Sequence, residues 1–205
     1  MFFTPGTHKE HGLPFNPLKA IVAPRPIGWI STVNSKGQAN LAPYSFFNAI
    51  SETPPMVGFS VSPGEREKDS LVNSRETGEF VVNIVSSAQM QAMSDTSAPA
   101  AHGESEFELV GLEAEPSQTV APPRVKDAPC HLECKVWDIL ALPEDENGQR
   151  NYWVMGTIIG ININDKVIVD GKIDVSLYQP VSRLGYKDYA VVRDVFEIER
   201  PKGGY

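Results

Sequence analysis

Two cations and two polar residues lie together just before a predicted helix. Arg66 and Lys68 precede Asp69 and Ser70, and the helix predicted from there ends at Gly78, a residue type that favours the left-handed helix end. Asp69 or Ser70 can cap this helix, whose first N–H groups lack partners inside it. Cationic side chains beside a helix N-terminus can bind a phosphate group. The cluster therefore predicts an anion site; the alternative is a solvated run of charges.

An irregular segment, residues 40–45, follows the first predicted hairpin. Pro43 is expected to keep it out of sheet pairing, because proline has no N–H to give to a ladder. Main-chain groups left free there, beside the small residues Ala42 and Ser45, would let a flat ligand come close. The alternative interpretation is a tight structural connection between two strands.

The remaining candidates each have an ordinary structural role as the alternative. Ser31 and Thr32 offer hydroxyl groups at the end of a predicted strand, but they also simply suit a strand. Cys130 and Cys134 lie on one predicted strand, so their Cα atoms are roughly 13 Å apart, about twice the reach of a disulfide. We expect buried free thiols. No second ligand pair follows them, so no metal site is predicted.

Composition excludes several classes of partner. The chain has 205 residues and a net charge of -8, with 26 Asp plus Glu against 18 Lys plus Arg. This charge would repel nucleic acid and anionic membranes. The apolar runs are too short to cross a bilayer, and the N-terminal residues lack a secretory pattern, so the cytoplasm is expected. The common dinucleotide, phosphate-loop, zinc-protease and hydrolase motifs are absent from the sequence.

The elements that would position these residues are mainly short strands. A single domain spans residues 1–205, with an N-terminal extension at 1–23 and a loop-rich insertion at 95–130. Two short helices are predicted, at 69–77 and 87–93. Strands at short spacing favour an antiparallel β-barrel over a parallel sheet. The predicted strands lie at residues 27–33, 38–41, 56–62, 80–85, 131–142 and 152–162.

Several unusual sequence motifs follow one another in an order that is specific to one family. They are Pro-Arg-Pro-Ile-Gly-Trp-Ile-Ser-Thr at 24–32, Asn-Leu-Ala-Pro-Tyr-Ser-Phe-Phe-Asn at 40–48, Pro-Pro-Met-Val-Gly-Phe-Ser at 54–60 and Lys-Asp-Ser at 68–70. In these motifs the chain resembles the flavin reductase-like, FMN-binding split-barrel family, which includes flavoredoxin. The resemblance is specific over residues 24–84. It continues more weakly through 106–107, 111–112, 131–134 and 180–185.

The resemblance implies a six-stranded antiparallel Greek-key split β-barrel with short helices and a site for FMN. Irregular backbone at 40–45 would face the polar edge of the isoalloxazine ring, and the anion site would hold the phosphate. The implied FMN contacts are Ser31, Thr32, Asn40, Ala42, Pro43, Tyr44, Ser45, Asn48, Ser60, Arg66, Lys68 and Ser70. The implied substrate contacts are His131, Arg183 and Tyr189.

The implied activity is hydride transfer from NAD(P)H to flavin, followed by electron release to an acceptor, either free flavin or a redox protein. No catalytic residue is expected, because the flavin itself accepts the hydride and the protein mainly positions the reactants. The family also implies a homodimer. The main alternative is a flavoredoxin-like electron carrier that contains FMN and takes electrons from a protein donor.

Overall fold

The computed structural model describes residues 1–101, 103–199 and 201. Strands dominate it. In chain order they are β1 (Arg25–Pro26), β2 (Gly28–Val33), β3 (Ala39–Tyr44), β4 (Phe47–Glu52), β5 (Pro55–Val61), β6 (Glu79–Ile84), β7 (Ala114–Glu115), β8 (Arg124–Val125), β9 (Cys130–Ala141), β10 (Tyr152–Ile163), β11 (Ile168–Val169), β12 (Lys172–Ile173), β13 (Val181–Arg183) and β14 (Tyr189–Val191).

The helices are short, and the first of them precedes β1. The α-helices are α1 (Leu18–Ile21), α2 (Asp69–Thr77), α3 (Met90–Asp95), α4 (Glu106–Leu109) and α5 (Val175–Tyr178). Short 3-10 helices lie at His8–His11, Ser87–Gln89 and Asp165–Val167. Within the described residues no helix is long and apolar enough to cross a membrane.

One curled antiparallel sheet organises the chain, as the mainly β prediction requires. Its seven strands follow the order β3-β2-β6-β9-β10-β5-β4, so β3 and β4 are its edges. A smaller sheet, β1-β13-β14, joins the N-terminal part of the chain to its C-terminal part. The expected six strands are one fewer than the main sheet contains.

The prediction of irregular structure at residues 40–45 is wrong for 40–44, which belong to β3, whereas residues 45–46 form a bend between β3 and β4. Pro43 lies within β3 and pairs with Trp29 of β2. It is tolerated because β3 is an edge strand, where one missing N–H breaks no ladder bond. Leu41, two positions earlier, directs its N–H away from the sheet to the carboxylate of Glu106. Since alternate residues of a strand point to the same side, Pro43 occupies the next outward position.

Apolar residues fill both faces of β2, which is buried along its whole length. Ile30 packs inside the curl of the sheet with Phe59 and Phe80. Trp29 faces the opposite side and packs beneath the loops that cover it. Gly156 of β10 lies under the Phe80 ring, where a Cβ would come within 2.5 Å of ring atoms. The curled sheet therefore carries one core inside it and a second beneath the loops.

Helix α2 lies where the sequence predicts it. It ends at Gly78, whose φ of 70° is left-handed, as predicted. The predicted cap is wrong, because the N-cap residue is Lys68 and no side chain among the described residues caps the helix. Asp69 instead forms a salt bridge with Arg66 at 2.8 Å. Cys130 and Cys134 are both buried and free, as predicted.

Candidate functional site

A cavity of about 610 Å³ opens between the end of β3, the N-terminus of α2 and residues 96–100. We call it the polar cavity. It brings together seven of the twelve residues that the family resemblance implies as FMN contacts: Asn40, Ala42, Pro43, Tyr44, Arg66, Lys68 and Ser70. These residues come from two regions of the chain that only the fold places side by side.

The two cations that line the polar cavity, Arg66 and Lys68, differ in the partners that they have within the protein. Arg66 donates to both carboxylate oxygens of Asp69, at 2.8 and 3.3 Å, and to the carbonyl of Ala100 at 2.9 Å. Lys68 has no carboxylate within salt-bridge distance among the residues that the structure describes. Lys68 also sits at the uncapped N-terminus of α2. It is therefore the cation best placed to receive an anion.

Two hydroxyl groups meet on the inner wall of the polar cavity. Tyr44 and Ser70 share a hydrogen bond, and the tyrosine ring packs on Phe59 with centroids 5.0 Å apart. Burial raises the pKa of Tyr44 to about 12, outweighing the lowering effect of the Ser70 hydrogen bond. The phenol therefore stays protonated near neutral pH and can act as a donor.

A buried amide in this wall lacks a partner among the residues that the structure describes. Asn40 is 7% exposed, and its Nδ2 atom makes no hydrogen bond to the described residues. An unpaired buried donor costs about 1 to 3 kcal/mol unless something accepts from it. A ligand in the polar cavity that carries acceptor oxygens would remove this cost.

Glu106 adds a carboxylate to the same cavity. Its Oε2 accepts the outward N–H of Leu41 at 2.7 Å. Burial raises the pKa of Glu106, Asp69 raises it further, and the Leu41 hydrogen bond and the charge of Arg66 oppose the shift. The carboxylate therefore holds a proton to a higher pH than an exposed glutamate does.

The outer wall of the polar cavity comes from residues 96–100, which the sequence assigns only to a loop-rich insertion. Thr96 accepts a hydrogen bond from the Trp29 indole at 2.9 Å, and Ala100 accepts one from Arg66. Both contacts join parts of the chain that are far apart in sequence. The weak local pattern of this loop gives no signal for them, so sequence reasoning misses this wall.

Three other predicted FMN contacts line a second cleft of about 410 Å³, which we call the apolar cleft. They are Ser45, Asn48 and Ser60. Tyr44 lines the polar cavity and Ser45 lines the apolar cleft, so the two sites lie on either side of the β3–β4 bend. The walls of the apolar cleft are otherwise Leu18, Val22, Pro24, Arg25, Pro26, Phe46, Phe47, Leu142 and Trp153.

Ser31 and Thr32 are fully buried and line neither site. The Ser31 hydroxyl donates to the carbonyl of Pro123 at 2.5 Å and accepts from the amide of Asn83. The Thr32 hydroxyl accepts from the amide of Asn73 at 3.0 Å. Both hydroxyl groups therefore have partners inside the protein.

The three predicted substrate contacts do not lie together in the structure either. His131 is buried beside a small cavity of about 160 Å³, with its Nε2 atom 2.9 Å from the carbonyl of Val125. Burial lowers the pKa of His131. Arg183 and Tyr189 face each other across β13 and β14, with the guanidinium 4.4 Å from the ring centre. Arg183 pairs in register with Arg25, so this pair lies near the apolar cleft.

Comparisons with known proteins agree with this architecture. The chain is 34% identical over 182 residues to an uncharacterized protein of Halalkalibacterium halodurans, covering 88% of this chain and 87% of that protein. Nitrilotriacetate monooxygenase component B from Bacillus cereus superposes with a TM-score of 0.88 at 30% identity, covering 97% and 98%. A flavin reductase structure with a split-barrel domain, from Shewanella frigidimarina, gives a TM-score of 0.81 at 22% identity, covering 98% and 100%, which supports the fold alone.

The split-barrel fold expected from the sequence is therefore confirmed. The family model for the flavin reductase like domain matches residues 22–175, which is more than half of the chain. That stretch contains the β3–β4 bend, the polar cavity and most of the apolar cleft. The chain belongs to the flavin reductase-like domain family.

Proposed function

We propose that this protein binds FMN in the polar cavity and is an NAD(P)H-dependent flavin reductase. The observation that carries the proposal is the convergence of Lys68 and the buried Asn40 amide in one cavity beside the start of α2. Among the described residues, Lys68 has no carboxylate partner and the Asn40 amide nitrogen has no hydrogen-bond partner. Such a site suits a phosphate joined to a group rich in acceptor oxygens. FMN has both features, and membership of the family favours a flavin.

Different residues of the polar cavity would contact different parts of FMN. Lys68 and the first N–H groups of α2 would hold the phosphate, and Arg66 would add positive charge while it remains bound to Asp69. The Asn40 amide would donate to an acceptor of the ribityl chain or the ring. Ala42 and Pro43 would give the ring a flat, small-residue surface at the end of β3.

When bound, FMN would supply the redox chemistry by accepting a hydride from reduced nicotinamide at its N5 position. The protein's own contribution would be to hold the ring and leave one face open to the second reactant. The wall formed by residues 96–100 would limit access of water from the other side. Tyr44 would remain a neutral donor throughout the physiological pH range.

The proposal includes a homodimer. Large apolar side chains of β9 and β10 are exposed, and a monomer would leave them in water. Trp137 is 64% exposed, Ile161 is 60% exposed and Leu140 is 50% exposed. Exposed large apolar side chains of this kind are typical of a subunit interface. A second copy of the chain is the occupant that the family favours, and the cytoplasm is the proposed compartment.

Two titrations test the proposed function. FMN added to the purified protein should lose fluorescence as it binds, and anaerobic NADH or NADPH should then bleach the bound flavin within seconds to minutes. If dithionite bleaches the flavin while neither nucleotide does, the protein is an electron carrier instead of a reductase. If FMN fluorescence is unchanged throughout, the FMN proposal fails.

A further inference from the structure

The apolar cleft has the walls of a site for a flat ring. The side chains of Phe46, Pro24 and Pro26 line it, together with the indole of Trp153. The Trp153 indole packs against Gly58, where an added Cβ would come within 2.8 Å of it. The volume of about 410 Å³ is in the range of small-molecule sites, which run from about 300 to 1,000 Å³. Apolar and aromatic walls of this kind favour an aromatic ligand.

The charge beside this cleft is positive. The Lys19 ammonium and the Arg25 guanidinium lie 5.9 and 5.7 Å from the centre of the Phe46 ring. None of the residues that line the cleft is acidic, although the chain carries a net charge of -8. Within the described residues neither cation has a carboxylate within salt-bridge distance. A local positive field in an acidic protein favours an anionic ligand.

Arg25 is a fixed part of this field. Arg25 as a whole is 6% exposed, and its guanidinium donates to the carbonyls of Lys19, Val22 and Leu184, the last at 2.8 Å. Its Nε atom is buried without a partner among the described residues. A buried cation held only by carbonyl dipoles gains from an anion nearby. Lys19 is exposed and can reach such an anion directly.

Polar groups on the opposite wall could orient the ligand. The hydroxyl of Ser60, a residue 8% exposed, makes no side-chain hydrogen bond within the part of the chain that the structure describes, and neither does that of Ser45. Both hydroxyls can donate to or accept from a ring substituent. A mostly apolar pocket with a few polar groups is the usual form of a small-molecule site.

We propose that the apolar cleft binds a planar aromatic anion, separately from FMN in the polar cavity. Phe46 and Trp153 would contact the ring, and Lys19 would contact its carboxylate or phosphate. The proposal goes beyond the proposed FMN site and is open to test whether or not FMN binds. A small aromatic carboxylate and a mononucleotide with an aromatic base share this chemistry.

Calorimetric titration of the FMN-loaded protein tests the proposal with three matched probes. Benzoate is the aromatic anion, benzamide is its neutral counterpart, and cyclohexanecarboxylate is an anion without a flat ring. We expect benzoate to bind most tightly and FMN absorbance to stay that of the bound cofactor. Nicotinamide mononucleotide then separates the nucleotide source from the carboxylate source. Equal binding of benzoate and benzamide, or stoichiometric release of FMN by benzoate, would overturn the proposal.

Two variants locate the binding. Lys19→Gln should weaken benzoate roughly twofold to fivefold and leave benzamide unchanged, because only the charge contact is lost. Phe46→Leu should weaken both ligands by a similar factor, since the ring contact is lost. Lys36→Gln, at an exposed turn residue outside both sites, is the control. Unchanged benzoate binding in Lys19→Gln and Phe46→Leu would contradict the assignment. If FMN does not bind, the same titrations on the protein alone give the answer independently.

Discussion

At the level of single residues, Lys68 carries the most specific expectation for the polar cavity. Lys68→Ala should weaken FMN roughly tenfold to hundredfold, because a charge-assisted contact contributes about 1.5 to 3 kcal/mol. Riboflavin lacks the phosphate, so its affinity should change little. Fluorescence titration of both ligands measures the difference.

The control for this prediction is Lys36→Ala, which removes a lysine from the exposed β2–β3 turn. It should leave both affinities at their wild-type values. Equal weakening of FMN and riboflavin by Lys68→Ala would place the phosphate elsewhere.

Glu106 should make FMN affinity depend on pH. Its pKa is raised, so the carboxylate loses its proton as the pH climbs through that elevated value, and the cavity then gains a negative charge. If the Glu106 carboxylate and the FMN phosphate are taken as unit charges about 4 Å apart in water, their repulsion is about 1 kcal/mol, or roughly a fivefold loss of FMN affinity. Glu106→Gln keeps an acceptor for the Leu41 N–H and removes the charge.

The measurement is the ratio of the FMN affinity of Glu106→Gln to that of the wild type across pH 4 to 8. We expect the variant to bind FMN about fivefold more tightly than the wild type at pH 8. Taking the ratio cancels the titration of the phosphate itself, whose second pKa is about 6. The ratio should approach one at low pH, where Glu106 is protonated in the wild type. A ratio that does not vary with pH would contradict the repulsion.

At the level of elements, Glu133 anchors the loop that covers β9. Its carboxylate accepts from the N–H of Gln118, from both the N–H and the hydroxyl of Thr119, each at 2.6 Å, and from the amide of Asn162. Burial alone would raise the pKa of Glu133, but these hydrogen bonds outweigh it and hold the pKa below the ordinary value. The ionised form is therefore part of the folded structure.

Glu133→Gln should lower the free energy of unfolding by about 1.5 to 3 kcal/mol at pH 7. The reason is that the new NH2 group is a donor and would face the donors that now bind the carboxylate. A depressed pKa contributes stability above the unfolded-state value, and this is lost as the pH falls through the folded-state value. The difference from wild type should therefore shrink below about pH 4. Urea unfolding at both pH values measures it. Glu108→Gln, at an exposed residue of α4, is the control, and an equal loss there would contradict the anchor.

Local signals explain which elements the sequence predicts well. Helix α2 and its end at Gly78 follow from residue types within one short stretch, and so does the hairpin from β9 to β10. Strand pairing at Pro43 could not be predicted, because it depends on β3 being the edge of the sheet. The division of the predicted FMN contacts between two sites depends in the same way on how the β3–β4 bend folds.

At the level of the whole molecule, we expect association through exposed apolar residues of β9 and β10. Ile161→Lys should convert a dimer to a monomer, because it places a charge at an exposed apolar position of β10 that the interface would bury. Light scattering after size exclusion measures the mass. Ile168→Lys makes the same chemical change at an exposed residue of β11 and should leave the dimer intact. A wild-type protein that is monomeric at micromolar concentration would contradict the proposed homodimer.

The construction of β3 also restricts how copies of this protein can associate. An exposed strand edge is a template on which other chains can add strands without limit, and this leads to aggregation. Here Pro43 has no N–H to offer, and the N–H of Leu41 is already bound by Glu106. Two outward positions of this edge therefore cannot donate to an incoming strand. The edge of the sheet beside the polar cavity is thus protected from open-ended growth.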